Sequence, residues 1–416
     1  MTVDAASGLP TLTKPADGVP DVTDNPHTWR VTLNELANGS GPIAIDVERA
    51  QGYRYLSKAY LLQLKRHGAG IHLVDPVALE GPGEAVADLT ELQEIIGDQE
   101  WILHAATQDL PNLVELGLRP SKLFDTELAG RLLGLERVGL GSMAEAYCGV
   151  HLLKEHSAVD WSRRPMPEDW LAYAALDVEL LHELRDHLLT ELINTGKQRW
   201  AREEFDHLCR CALTERPARP DPWRKTSGCH QVRSRRGLAL VKQLWTVRER
   251  IAERTDTAHG KILHDKAITE LASMITRSHP EVPGVAALRR IDGFKRRRAR
   301  ANEQAWLEAM DEVADMPEAD LPPMKRPSEG VPMPRNWERL RPEAHQRWEA
   351  VRPAIVALAE ELRLPVENLI SPDSLRQVLW APESTEDAGI ATQLEGLDVR
   401  AWQRELVVPI ILAGIS

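Results

Sequence analysis

The sequence predicts a mixed α/β domain, its sheet flanked by helices, followed by two small all-helical units. Three observations lead there. Short apolar runs of strand length alternate with amphipathic helical stretches in the first half of the chain. Strand signals fade beyond Pro217. Past that point two helical segments, Gly237–Ser273 and His345–Leu379, echo each other at an offset of 107 residues: Ala252-Glu253 with Ala359-Glu360, Ile262-Leu263 with Leu369-Ile370, Ile268 with Leu375.

In chain order, residues 1–26 are rich in Pro, Gly, Asp and Thr, lack the apolar core of a signal peptide, and read as a mobile tail. Residues 27–217 form the α/β domain. Its first strand is Ile43–Val47, a buried apolar run. Ala59–Leu64 and Ile71–Val74 follow at hairpin spacing, with His67-Gly68-Ala69-Gly70 as the turn, and Trp101–Leu103 is a fourth strand. Helical patterns cover Val86–Ile96, Gln108–Leu116, Thr126–Leu133 and Glu168–Ile193, the last opened by Pro167. The first helical unit spans 224–310. Asp311–Arg335 carries six prolines among acidic residues and reads as a semi-stiff linker, and the second unit spans 336–416.

Composition narrows the function. Of the 416 residues 43% are hydrophobic and 27% charged, which is ordinary for a soluble globular protein. No run approaches ~20 apolar residues, so no membrane partner is expected. Four cysteines do not make a disulfide framework and read as reduced thiols of a cytoplasmic protein. The net charge of −12 is unevenly spread: residues 224–300 carry +12, between acidic flanks of −14 and −10. A basic middle fits phosphate binding and an acidic first domain fits a metal site.

Three acidic signatures then stand in order: Asp46-Val47-Glu48, Asp109, and Tyr173-Ala174-Ala175-Leu176-Asp177. Residues two apart on a strand share a face, so Asp46 and Glu48 project together. Residues four apart on a helix do the same for Tyr173 and Asp177. Asp109 opens a helix just after a strand. Singly these are solvated strand ends and helix faces. As an ordered set they describe carboxylates converging on one point, tolerable when hard divalent cations neutralise them.

The stretches Ile45–Glu48, His104–Leu110 and Leu171–Val178 resemble the ribonuclease D group of 3′→5′ exonucleases, and Lys154 with Asp160–Pro165 resembles that family's link into its third motif. The two helical units resemble the helicase-and-RNase-D C-terminal (HRDC) domain. The resemblance covers about 27–416. It implies an RNase H-like fold and two divalent cations, Mg²⁺ or Mn²⁺, with Asp46 shared, Glu48 and Asp177 completing one position and Asp109 serving the other. Tyr173 would orient the attacking water. Relatives using histidine place it five residues before the last acid, where this chain has Ala172. Arg49 departs from the pattern, standing where an aromatic residue is expected. The implied activity is release of nucleoside 5′-monophosphates from RNA 3′ ends, such as those of tRNA precursors and small structured RNAs. A 3′→5′ DNA exonuclease and a non-catalytic RNA-binding scaffold are the alternatives, and the lack of an ATPase motif excludes a helicase.

Other features are plainer. Gly139-Leu140-Gly141-Ser142-Met143-Ala144 follows a helical stretch, so a loop into a helix is expected and no nucleotide cofactor. His72 and His104 read as packed, and Asp125 as the cap of Thr126–Leu133. Lys154, Arg163 and Arg164 are candidate phosphate contacts near the site. Lys295, Arg296, Arg297 and Arg298, following a Gly-containing turn, are candidates for holding the RNA body. The second unit lacks the charge excess and is expected to pack against its neighbours.

Overall fold

The computed structural model describes residues 7–83, 86–153, 158–212, 219–325 and 330–415. Six strands, β1 (Val22–Thr23), β2 (Ser40–Arg49), β3 (Ala59–His67), β4 (Gly70–Val74), β5 (Glu100–Leu103) and β6 (Lys122–Asp125), form one mixed sheet in the order β1-β4-β3-β2-β5-β6. β2, β3 and β4 are antiparallel, whereas β5 lies parallel to β2 and β6 parallel to β5. The expected strands are its centre, whereas part of the segment 1–26, read as a mobile tail, is tied to the domain: β1 pairs with β4, and Thr11–Leu12 pairs with His151–Leu152. β1 and β6 are too short to show a period of two in sequence. The tight turn between β3 and β4 uses Gly68 and Gly70 at φ +80° and +78°, a region glycine enters without a Cβ clash.

Alternation along β2 divides the domain. Ile43, Ile45 and Val47 enter the main core with Trp29, Leu33 and Leu36 of α1 (Pro26–Asn38) and with Leu92 and Ile96 of α2 (Thr90–Ile96). Ala44, Asp46 and Glu48 face the other way. After α3 (Leu110–Glu115) and α4 (Thr126–Leu133), that second face is covered by α5 (Glu168–Glu179) and α6 (Leu181–Asn194). Ala174 and Ala175 pack there with Leu61 and Leu73, and Val178 and Leu181 with Ala44 and Ile102. Alanines at the contact let α5 lie close to the sheet, which places its acid over β2.

The expected single helix Glu168–Ile193 is broken at Leu180, where φ is −100° and ψ −2°. Lys65 of β3 reaches the break: its Nζ donates to the Glu179 carbonyl at 2.6 Å and to Glu179 Oε2 at 2.8 Å. A cation from the sheet thus satisfies an end carbonyl of α5, a partnership that helical periodicity cannot reveal.

The remaining chain is helical: α7 (Gln198–Ala212), then α8 (Arg235–Arg254), α9 (His259–Ile262), α10 (Asp265–Ser273) and α11 (Glu303–Ala314), then α12 (Pro342–Glu361), α13 (Val366–Leu369), α14 (Pro372–Trp380), α15 (Asp387–Glu395) and α16 (Ala401–Ile415). The bounds of α8–α10 and α12–α14 coincide after a shift of 107 residues, and the two units diverge beyond them. The first unit has its own core around Leu240, Leu244, Ile268, Leu271 and Trp306, against which Tyr55 of the α/β domain packs. The second shares one core with that domain through Leu188, Leu192, Ala201 and Phe205. The segment read as a linker from Asp311 starts inside α11, because Met310 and Val313 continue its buried face. No helix among the described residues is long and apolar enough to cross a membrane. The four cysteines are free.

Candidate active site

Asp46, Glu48 and Asp177 each present a carboxylate oxygen within 4.8 Å of the others. All three are partly buried, on the face of β2 that α5 covers. The Tyr173 hydroxyl donates to Asp177 one turn along the same helix. The electrostatics are severe. Burial, then the Asp177 charge, pushes Asp46 above the carboxylate range, and burial followed by Asp46 and Asp177 does the same to Glu48. Asp177 is raised to about 7 by burial and then by Asp109. Burial and the neighbouring carboxylates raise the Tyr173 phenol, so it stays neutral at physiological pH and keeps its proton to donate.

Asp109 is placed differently. Beyond β5 the chain turns through Ala105, at φ +60°, into a 3₁₀ turn, and Asp109 opens α3. The turn is held by Asp125 at the end of β6, whose carboxylate accepts from the N–H groups of Ala105 (3.1 Å), Ala106 (2.9 Å), Glu127 (2.9 Å) and Leu128 (3.1 Å). One buried carboxylate therefore caps α4, as expected, and also anchors the loop that delivers Asp109. Burial raises Asp125 to about 6 even though N–H groups of Leu128, Ala106 and Ala105 act to lower it. Asp109 itself is raised to about 8, by burial and then by Asp46. Its Oδ1 accepts from Arg49 Nη1 at 2.6 Å. A register irregularity between Glu48 and Arg49 breaks the strand alternation, so consecutive side chains need not point to opposite faces.

Gln63 escapes a reading by sequence. It lies opposite Asp46 in the β2–β3 register and is fully buried, and neither amide atom has a hydrogen-bond partner among the described residues. Its only signal is a polar residue interrupting the apolar run of β3.

The expected phosphate contacts fare unequally. Lys154 lies outside the described residues. Arg164 is a correction. Its Nε donates to Asp75 Oδ2, its Nη2 to Asp75 Oδ1 (2.7 Å) and Tyr60 O (2.9 Å), and its Nη1 to Trp161 O (2.7 Å) and Arg163 O (2.9 Å). Every nitrogen of the guanidinium is engaged in tying the segment before α5 to the sheet, which leaves no fork for a phosphate. Arg163 lies over the Trp170 ring at 6.0 Å. Lys295 pairs with Asp292 (2.7 Å) and Arg296 donates to His264, while the exposed guanidinium groups of Arg297 and Arg298 have no partner among the described residues. His104 bonds Thr126 Oγ1 at 2.8 Å and is pushed down to about 4 by burial, and His72 bonds Ala69 O at 3.1 Å. Gly139 ends a loop and leads into the short helix Leu140–Met143.

An all-oxygen set of closely spaced, mutually repelling carboxylates fits a hard divalent cation, and such an ion is what would let them ionise together.

Comparison with known proteins agrees with this geometry. A family model described as 3′-5′ exonuclease matches residues 22–193, an HRDC domain model matches 237–310, and a model described as 3′ to 5′ exonuclease C-terminal domain matches 330–415. Ribonuclease D of Gluconacetobacter diazotrophicus is 31% identical over 298 residues, covering 69% of this chain and 70% of that protein. Ribonuclease D of Acidiphilium cryptum is 32% identical over 297 residues, covering 70% and 72%. A crystal structure of a protein from Bifidobacterium adolescentis superposes with a TM-score of 0.87 at 37% identity, covering 98% of this chain and 99% of that one. Escherichia coli RNase D shares the fold, with a TM-score of 0.63 at 23% identity over 91% of this chain and 98% of that one.

Proposed function

Since the chain belongs to the ribonuclease D family and is a 3′→5′ exoribonuclease that uses divalent metal, we propose that Asp46, Glu48, Asp109 and Asp177 hold the metal and that Tyr173 acts beside it. The observation that carries this reading is the convergence of Asp46, Glu48 and Asp177 within 4.8 Å, on two elements far apart in sequence.

Asp46, on the central strand, would hold one cation together with Glu48 and Asp177, and Asp46 and Asp109 would hold a second. Mg²⁺ or Mn²⁺ suits the all-carboxylate set. Bound there, the pair supplies charge stabilisation for in-line attack on the terminal phosphodiester. Tyr173, anchored to Asp177, orients the attacking water through its hydroxyl. Asp125 keeps Asp109 in place by holding the turn before it.

The substrate end would be the 3′ trailer of a tRNA precursor or another small structured RNA, trimmed in the cytoplasm. The first helical unit, 224–310, holds the body of that RNA through Arg297 and Arg298, with Lys295 and Arg296 beside them. The second unit, 336–416, is a further HRDC-like fold, a reading supported by the shared bounds of α8–α10 and α12–α14, and its role is to brace the catalytic domain.

A time course on 3′-extended tRNA with Mg²⁺, Mn²⁺ or chelator, beside Asp46→Asn and a DNA strand of the same sequence, tests the reading. Metal-dependent release of nucleoside 5′-monophosphates from the RNA, absent in Asp46→Asn, is expected. Equal turnover by Asp46→Asn would refute the site, and preference for the DNA would refute the substrate.

A further inference from the structure

Arg49 stands at the edge of the acidic cluster, next to Glu48, and none of the roles above falls to it. Its position is informative. Nη1 donates both to the Gln108 carbonyl at 2.7 Å and to Asp109 Oδ1 at 2.6 Å. The two side chains are only 15% and 4% exposed, so this is a shielded ion pair rather than a solvated one. Of the four carboxylates, the three that converge do so without Asp109, and Asp109 is the one held by the guanidinium. Both bonds use Nη1. The other N–H groups of the fork make no hydrogen bond to the described residues and remain available to a second acceptor.

We propose that Arg49 is a built-in counter-cation for the second metal position, releasing Asp109 only when a phosphate arrives to take the guanidinium over. The inference rests on the metal-site reading above. When all four carboxylates are ionised, Arg49 leaves a net charge of three negatives. One divalent ion at Asp46, Glu48 and Asp177 reduces that to one negative. A second ion without substrate would turn the cleft positive, whereas a second ion together with a singly charged phosphodiester closes at neutrality. Guanidinium forks match phosphate oxygens as well as carboxylates, so the exchange of partner conserves an ion pair.

The test is Mn²⁺ stoichiometry, read by electron paramagnetic resonance and calorimetry on the full chain, without nucleotide and with saturating nucleoside 5′-monophosphate as the phosphate probe. Wild type should bind one ion alone and two with the nucleotide. Arg49→Met, which keeps the aliphatic stem and removes the charge, should bind two ions without nucleotide, its second site tightened at least ten-fold over wild type. Arg49→Lys, which keeps the charge, should restore the one-ion state. Two ions in nucleotide-free wild type, or one in nucleotide-free Arg49→Met with an unchanged melting temperature, would overturn the proposal. If Arg49→Met melts early, two ions in nucleotide-free Arg49→Lys would overturn it instead. Failure of any of the proteins to bind Mn²⁺ would fall on the metal-site reading itself.

Discussion

The two helical units share a skeleton and are used differently. α8–α10 and α12–α14 have the same lengths and spacing, yet the first unit surrounds its own core and meets the α/β domain mainly through the loop after β2. There Asp256 Oδ1 accepts from the Tyr55 and Leu56 N–H groups, and Lys261 lies 3.8 Å above the Tyr53 ring. The second is continuous with the catalytic core. Trp402 stacks on Trp200 at 4.8 Å and donates to Glu204, and Lys197 donates to the end carbonyls Leu132 O (2.7 Å) and Leu362 O (2.6 Å). The comparison teaches that surface composition, not helix arrangement, sets what such a unit does. One keeps its cations exposed and touches the domain through a few residues of one loop, and the other uses its aromatic surface for attachment.

The comparison can be broken at several points, the most damaging first. Asp46→Asn and Asp177→Asn leave both attachments intact and should cut turnover by more than about 100-fold, the upper loss known for mere outer-shell partners of a metal ligand. Near-normal kcat in either variant would sink the site. Trp402→Ala should cost about 3–5 kcal/mol in stability, as removal of a buried aromatic does, and lower the melting temperature of the catalytic domain with it. Separate melting of the second unit in calorimetry would contradict a shared core. Lys197→Met should cost about 1–3 kcal/mol by stranding two end carbonyls, read by denaturant unfolding.

Arg297→Ala with Arg298→Ala should do the opposite: melting unchanged, RNA affinity weaker, and the salt slope of binding reduced by ~0.7 for each phosphate no longer neutralised. An unaltered slope would remove the first unit from RNA holding. The smallest effect concerns pH. Asp177 and Asp109 are raised in the fold from 3.8 to about 7 and about 8. Their contribution to the stability of metal-free protein is therefore full below about pH 4 and is lost as pH rises through 7 to 8. The melting temperature should fall over that window. Mg²⁺ should restore it, and a metal-free protein that becomes more stable from pH 6 to 9 would contradict the burial of these carboxylates.

Much of the site was legible because its spacing is local. Asp46 with Glu48 follows from a strand period and Tyr173 with Asp177 from a helix turn, and the charge of residues 224–300 announced the exposed arginines. Arg164 was misjudged because a basic residue near a site looks the same in sequence whether it meets phosphate or a buried Asp75 from 89 residues away. Lys65 at the end of α5 and Asp125 at the turn before Asp109 were hidden likewise, since each acts on backbone groups that no side-chain pattern encodes.

By itself the sequence determined the central strands, the repeat and the identity of the acids, because local periodicity and residue chemistry act within a few positions along the chain. Only the tertiary structure decided which groups meet. Asp109 is paired with Arg49 rather than with the other three acids, Arg164 is locked to Asp75, and one helical unit is fused to the catalytic core while its twin stands apart. The physical reason is that such pairings depend on strand register, a single irregularity in β2 and the close approach of α5, distances that packing sets and that sequence separation does not contain.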